Sequence, residues 1–139
     1  DSSESRGLGD VYKRQAKQHG FESNPIHLKT GLWHFADVDC HFISIHHFLK
    51  WFKFGITRSF DNLSLEIRQG FINRDTAKKK LTELGLQQPY EDIEKFCKFT
   101  GKTQKWFWDV AESHRNKEIW RLVDGIWKIP DFLIEDWEW

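Results

Sequence analysis

The feature that most constrains the fold is a run of apolar residues at helical spacing between Asp37 and Gly55. Either Asp37 or Asp39 can cap the start of such a helix, and Gly55 stands where a helix-ending glycine is expected. Its inward positions are Val38, Phe42, Ile45, Leu49 and Phe52. Trp51 and Phe54 widen the apolar face beyond a single stripe. A helix of this kind has to be covered on more than one side, so the sequence predicts a core built around it.

Four shorter helices are predicted downstream from apolar periodicity and from residues that start or stop helices. They are a segment from about Ser59 to Gln69 closed by Gly70, one capped by Asn73 and ended by Gly85, one opened by Pro89 and ended by Gly101, and one capped by Thr103. The predicted inward positions are Phe60, Leu63, Ile67, Ala77, Leu81, Leu84, Ile93, Phe96, Cys97, Phe107, Val110 and Ala111.

Asp124 and Gly125 stand between two short apolar runs, which is a strong hairpin signal, and Pro130 ends the second run. The predicted fold class is therefore mainly α, with about five helices and a small C-terminal β-hairpin.

The chain divides into four parts by composition. Residues 1–15 are polar and punctuated by glycine, and we expect a non-native linker or adaptor-like read-through there. Residues 16–36 are expected to be a loop-rich remnant of an upstream catalytic core, with at most one short strand. Residues 37–129 form the helical region with the hairpin, and residues 130–139 are an aromatic, acidic tail that either docks or frays. Because the 139 residues contain no methionine, we expect the natural start to lie upstream.

Composition limits the possible partners and compartment. The chain has 21 basic and 21 acidic residues, so its net charge favours neither nucleic acid nor an anionic membrane as a partner. Two cysteines far apart, Cys40 and Cys97, do not make a disulfide framework and indicate a reducing, cytoplasmic setting. No apolar run approaches the roughly 18 residues that a membrane span needs.

A group of fixed charges directly follows the long apolar helix. Arg58 lies in the turn that begins the second helix, where free backbone N–H groups and the helix dipole can hold a phosphate or carboxylate. Asp61 can cap the helix or orient that arginine. The simpler alternative is that Arg58 pairs with a nearby carboxylate. Arg68 and Arg74 flank the next turn, each with an acidic residue within two positions, and a solvated face is the simpler interpretation for both.

The histidines and cysteine of the long helix and the C-terminal tryptophans are considered as a metal site and as a stacking surface. Cys40, His41, His46 and His47 share the long helix, but their spacing does not give the i, i+4 pair that helical zinc sites favour. His46 is instead interpreted as a hydrogen-bonded core histidine. Six tryptophans crowd the C-terminal part without a basic groove, which favours core and hairpin packing over stacking on bases or sugars. They are Trp106, Trp108, Trp120, Trp127, Trp137 and Trp139.

Residues 45–81 resemble the C-terminal region of the bacterial N-acetyl sugar amidotransferases, which belong to the PP-loop ATP-pyrophosphatase superfamily of surface-sugar biosynthesis. The matching residues are Ile45-His46, Lys50, Lys53-Phe54-Gly55, Arg58, Asp61, Glu66-Ile67-Arg68, Gly70, Ile72, Arg74 and Ala77. The similarity extends over roughly residues 20–129. It departs from the family where Arg58-Ser59-Phe60-Asp61 replaces an R-A-T-D form, so no side-chain polar contact is expected from Phe60.

The resemblance implies an ATP-dependent amidotransferase in lipopolysaccharide O-antigen or related surface-polysaccharide biosynthesis. A sugar amide or acid carbonyl would be adenylated and ammonia would displace AMP, with ATP and Mg as cofactors and a nucleotide-sugar as substrate. A glutaminase partner would supply the ammonia. The family's fold implies that these helices pack on a Rossmann-like α/β core carrying an SGGxDS loop. That loop is absent from this sequence, so this stretch alone is not expected to hold ATP or to turn over.

The resemblance also carries over a set of phosphate- or substrate-binding residues: Arg58, Lys53, Asp61, Arg68 and Arg74. It assigns neither catalytic residues nor a metal site within this sequence. Two alternatives stay open at this stage. One is a non-catalytic helical protein-interaction domain, and the other is a different PP-loop enzyme, such as a tRNA-thiolating or asparagine-forming one.

Overall fold

A computed structural model describes residues 15–23, 29–37 and 40–139. One helical turn at residues 15–18 precedes five helices: α1 Ile43–Phe54, α2 Arg58–Arg68, α3 Arg74–Leu84, α4 Tyr90–Thr100 and α5 Gln104–Ser113. Strands β1 Arg121–Val123 and β2 Ile126–Lys128 then pair as an antiparallel hairpin. The mainly α fold with a C-terminal hairpin is confirmed. No helix in the described part of the chain has the length and apolarity needed to cross a bilayer.

The start of α1 differs from the prediction. The helix begins at Ile43, with Phe42 as its N-cap, so Asp37 does not cap it. Asp37 instead has a left-handed φ of 57° and its carboxylate is bound by Arg58. The predicted inward Val38 and the alternative cap Asp39 lie outside the described residues, as does nearly all of the expected linker at 1–15. The described part of residues 16–36 contains the helical turn and bends and no strand.

The other helix ends follow local sequence signals closely. The side chain of Asn73 accepts a hydrogen bond from the Thr76 backbone N–H, and that of Thr103 accepts one from Trp106. Pro89 is the N-cap of α4 and stands one residue before the helix, rather than inside its first turn. These caps confirm that α3 and α5 begin where short polar side chains can satisfy a free N–H group.

Helix α1 is buried on two sides, as predicted, but only Trp51 of the two residues expected to widen its apolar face is buried, since Phe54 is 60% exposed. One core cluster joins Trp51 to α2, α3 and the C-terminal segment, and its buried members are Trp51, Phe60, Leu63, Ala77, Leu81, Trp120, Ile134 and Trp137. A second cluster joins the neighbouring side of α1 to α4 and α5, through Ile45, Phe48, Phe52, Ile93, Cys97, Phe107 and Ala111. Val110 was predicted inward but is 38% exposed, because Phe107 and Ala111, one helical turn apart, already fill the buried stripe of α5.

The C-terminal tail docks against the first cluster. Ile134 and Trp137 are 2% and 6% exposed. The indole of Trp51 has ring contacts with Trp120 at 5.0 Å and Trp137 at 5.4 Å between centroids. Packing is therefore the role of the tryptophans in this cluster, and aromatic pairs at these distances stabilise beyond the area they bury.

Two polar contacts connect the end of α1 to the segment that follows α5. The carbonyl oxygen of Phe52 accepts hydrogen bonds from the Asn116 N–H and from Nε1 of Trp120, both at 3.0 Å. The guanidinium of the buried Arg115 stacks on the rings of Phe52 and Trp120, 4.6 and 4.5 Å from their centroids. Glu112 accepts two hydrogen bonds from the same guanidinium, so the buried charge is neutralised.

Gly55 is favoured by its backbone conformation, and a neighbouring side chain crowds its position. It ends α1 in the left-handed region at φ 65° and ψ 21°, and its N–H donates to the carbonyl of Trp51. A Cβ atom at this position would overlap Cδ1 of Ile129. Gly101 ends α4 with nearly the same backbone, φ 68° and ψ 23°, but nothing lies within 4 Å of its missing Cβ.

We expect Gly55→Ala to destabilise the chain more than Gly101→Ala. The left-handed backbone should cost about 1 kcal/mol in both variants. Overlap with Ile129 should add about 1–3 kcal/mol in Gly55→Ala alone. Urea unfolding of the two variants measures the difference, and equal losses would show that Ile129 does not restrict this position.

Candidate functional site

Residues 29–37, hereafter the strap, lie across α1, α2 and α4. Side chains and backbone groups of the strap bond to the helices at successive positions. The contacts are Lys29 with Asp92, Thr30 with His47, Gly31 with Gln87, Leu32 with Asn62, Trp33 with Glu66, and Asp37 with Arg58. These polar contacts fix a segment that has little regular structure of its own.

Arg58 stands in the middle of a chain of opposite charges. Its Nε and Nη2 atoms donate to Oδ2 of Asp37 at 3.1 and 2.8 Å. Its Nη1 lies 3.8 Å from Oδ2 of Asp61, which also accepts a hydrogen bond from Lys50. Two cations therefore face two carboxylates. Arg58 therefore pairs with carboxylates, as the simpler of its two predicted interpretations has it. Its side chain is 29% exposed.

The other predicted site residues do not converge on Arg58. Lys53 is exposed in the last turn of α1, and Arg74 is exposed at the first position of α3. Arg68 donates to Oγ of Ser64 at 3.3 Å. In the described part of the chain, neither Arg68 nor Arg74 forms an ion pair. Only Asp61 joins Arg58, so binding roles for Lys53, Arg68 and Arg74 stay predictions.

The buried histidine is His47, whereas the sequence pointed to its neighbour His46, which is exposed. His47 Nδ1 lies 3.1 Å from Oγ1 of Thr30, and its Nε2 lies 3.6 Å from Oδ2 of Asp37. Its position four residues before the buried Trp51 is the signal that could have identified it. In the described part of the chain, no three His, Cys, Asp or Glu side chains are grouped to hold a metal ion.

Burial lowers the pKa of His47 below its ordinary value of 6.5. The carboxylate of Asp37 acts in the opposite direction, while the positive charges of Arg58 and Lys50 add to the lowering. The neutral imidazole is therefore the form that the folded chain favours. Since the unfolded chain takes up a proton at a higher pH than the folded chain does, acid must reduce stability through this group.

Asp92 anchors the other end of the strap. Its carboxylate is buried and accepts hydrogen bonds from Lys29 Nζ and Ser44 Oγ, both at 2.6 Å. Burial pushes the pKa of Asp92 upward, but these two hydrogen bonds outweigh it, so the net pKa is lowered. The bond to Asp92 likewise raises the pKa of Lys29. Asp92 thus stabilises the fold above its unfolded pKa of about 4 and less as the pH falls below that.

An amide–backbone pair closes the middle of the strap. Gln87 accepts from the N–H of Gly31 at 2.9 Å and donates to its carbonyl at 3.2 Å, while Ser59 donates to the same amide oxygen. Gly31 has φ 82°, and a Cβ there would meet Cγ of Arg58 at 3.1 Å. Sequence periodicity gave no signal for Gln87, because its contact is 56 residues away along the chain.

Residues 30–133 match a family described as "LPS biosynthesis protein WbpG-like, C-terminal domain". The chain belongs to this family. The WbpG-like match begins at Thr30 and includes the strap from that residue, the five helices and the hairpin. All five predicted binding residues and Asp37 lie inside it. No curated protein and no solved structure matches the sequence.

We expect the stability of the WbpG-like domain to fall between about pH 7 and pH 5, because the unfolded chain binds a proton at His47 that the folded chain disfavours. His47→Gln should flatten this part of the pH profile. Urea unfolding at a series of pH values measures it. The matched control is His46→Gln, which changes the exposed neighbour, and an equal flattening in both variants would contradict the assignment.

Proposed function

We propose that this WbpG-like domain is part of an ATP-dependent N-acetyl sugar amidotransferase acting in lipopolysaccharide or related surface-polysaccharide biosynthesis. ATP would activate the carbonyl of a sugar amide or acid by adenylation, releasing pyrophosphate. Ammonia would then form the new C–N bond as AMP leaves with the carbonyl oxygen. The proposal includes ATP and Mg bound elsewhere in the enzyme, a nucleotide-sugar substrate, a glutaminase partner and a cytoplasmic location.

The observation that carries this proposal is the match of residues 30–133 to a domain family named for lipopolysaccharide biosynthesis. The motif around Lys53-Phe54-Gly55 and Arg58 supports the finer assignment, because it resembles the N-acetyl sugar amidotransferases. The free cysteines Cys40 and Cys97 are consistent with a reducing compartment.

Within this function, Arg58 is the residue of the domain best placed to meet a negative charge. Its side chain is part-exposed at the first position of α2, where N–H groups are free of helical partners. Asp37 already accepts two of its hydrogen bonds, so a phosphate would have to share or replace that carboxylate. Asp37 then acts as a positioning residue that keeps the guanidinium oriented before the anion arrives.

The non-catalytic alternative also has an observation in its favour. The charges around Arg58 balance within the domain: the Arg58–Asp37 pair holds the strap on α2, and the Lys50–Asp61 pair joins α1 to α2. Both pairs are explained by stability without a bound anion. In that case the domain would be a helical interaction module. The two functions differ in whether Arg58 affects the chemistry or the stability.

We expect Arg58→Ala, in the intact protein that carries this domain, to reduce ATP- and sugar-dependent pyrophosphate release tenfold or more, which is about 1.4 kcal/mol. Asp37→Asn removes the ion-pair charge but keeps the arginine and the side-chain shape, so it should retain most of the activity. Arg121→Ala, on the hairpin, is the matched arginine control and should leave the rate unchanged.

A rate that stays unchanged in folded Arg58→Ala would remove this residue from the site. Equal losses of rate and of unfolding free energy in Arg58→Ala and Asp37→Asn would assign the pair to holding the strap. If the intact protein contains no SGGxDS loop and releases no pyrophosphate with any acetamido sugar, the interaction-module function would replace the enzymatic one.

A further inference from the structure

The outward face of the C-terminal half of α4 combines exposed lysines with exposed aromatic rings. We call Lys95, Lys98, Phe99, Lys102 and Trp106 the basic aromatic face. Phe99 is 79% exposed and Trp106 is 40% exposed, and the three lysines are exposed as well. Lys95, Lys98 and Phe99 follow each other at the three- and four-residue spacing that places side chains on one side of a helix.

Two contacts join members of this face to neighbouring elements. The Nζ atom of Lys102 lies 5.4 Å from the centroid of the Trp106 ring, which links the end of α4 to α5. The ring of Phe99 contacts that of Phe42, with centroids 5.9 Å apart. The face therefore extends from α4 to the first turn of α5.

The charges of the face are not neutralised by the fold. In the described part of the chain, Lys95, Lys98 and Lys102 form no ion pair. Glu91 and Asp92 lie one turn before Lys95, where both pair with Lys29, and the charge of Lys95 also helps to lower the pKa of Asp92. With Lys29 included, four lysines against Glu91, Asp92 and Glu94 leave this side of the domain positive by one charge. A nearly zero net charge for the whole chain conceals this local excess.

This chemistry complements an anionic lipid surface. Lysine heads can reach lipid phosphates while their methylene stems and the aromatic rings enter the boundary between headgroups and acyl chains. The face is the outer surface of a helix, whereas a surface groove of the described residues lies elsewhere, between α3 and the tail at Lys78 and Glu135. An outer helix surface suits a bilayer better than it suits an inserted peptide.

We infer that the basic aromatic face is a membrane-docking surface that takes anionic phospholipid headgroups. This inference is independent of the enzymatic function proposed above, since none of its residues lies on the strap or beside Arg58. Binding through this face is peripheral: the lysines contribute attraction that salt screens, and Phe99 and Trp106 contribute apolar contact.

Co-sedimentation with lipid vesicles tests the inference on the intact chain. It should bind vesicles of phosphatidylcholine and phosphatidylglycerol in equal parts and not vesicles of phosphatidylcholine alone, and added salt should weaken the binding. Lys98→Gln combined with Lys102→Gln should lower the partition coefficient by tenfold or more, since each lysine near an anionic surface is worth about fivefold. Phe99→Ala should lower it at constant charge.

The matched control combines Lys79→Gln with Lys80→Gln, which removes the same charge from exposed positions of α3. This pair should keep most of the binding. Far-UV circular dichroism and urea unfolding verify that each variant is folded. Equal losses in both lysine pairs, equal binding to neutral and anionic vesicles, or no binding to either would overturn the inference. The last result would turn attention to an acidic protein partner for the same face.

Discussion

The fold depends on the burial of α1 from two sides. Trp51 faces one cluster and Phe48 faces the other, so removing either helix pair would expose large apolar rings. The same helix receives the C-terminal segment at its end, where the Phe52 carbonyl is bonded by Asn116 and Trp120. A carbonyl in the last turn of a helix has no helical partner, and these donors satisfy it. Helix, hairpin and tail are thus assembled around one element.

The strap adds a polar layer on this apolar framework. Lys29, Thr30 and Asp37 each bond to a buried or half-buried partner, so charge and hydrogen bonds hold a loop that forms no helix or strand of its own. The same contacts orient Arg58 at the start of α2. Substitutions at this turn therefore change stability as well as any chemistry. Both the activity and the unfolding free energy of each variant have to be measured.

Local signals accounted for much of the fold. Asn73 and Thr103 capped their helices, and Gly55 and Gly101 ended theirs, because caps and left-handed glycines act within a few residues. The predicted start of α1 was wrong. Asp37 is a good helix cap by local criteria, but its carboxylate binds Arg58, which is 21 residues away along the chain. Periodicity also misplaced Val110, since the exact width of a buried stripe depends on the neighbouring helix.

The sequence by itself determined the helices, the hairpin turn at Asp124-Gly125 and the family, because these are written in residue types at short spacing. The tertiary structure alone decided that His47 lies against Thr30 and Asp37, and that Gln87 holds Gly31. It also decided which carboxylate neutralises Arg58. Each of these contacts joins side chains from separate elements, so its formation depends on how the helices pack and not on any local pattern.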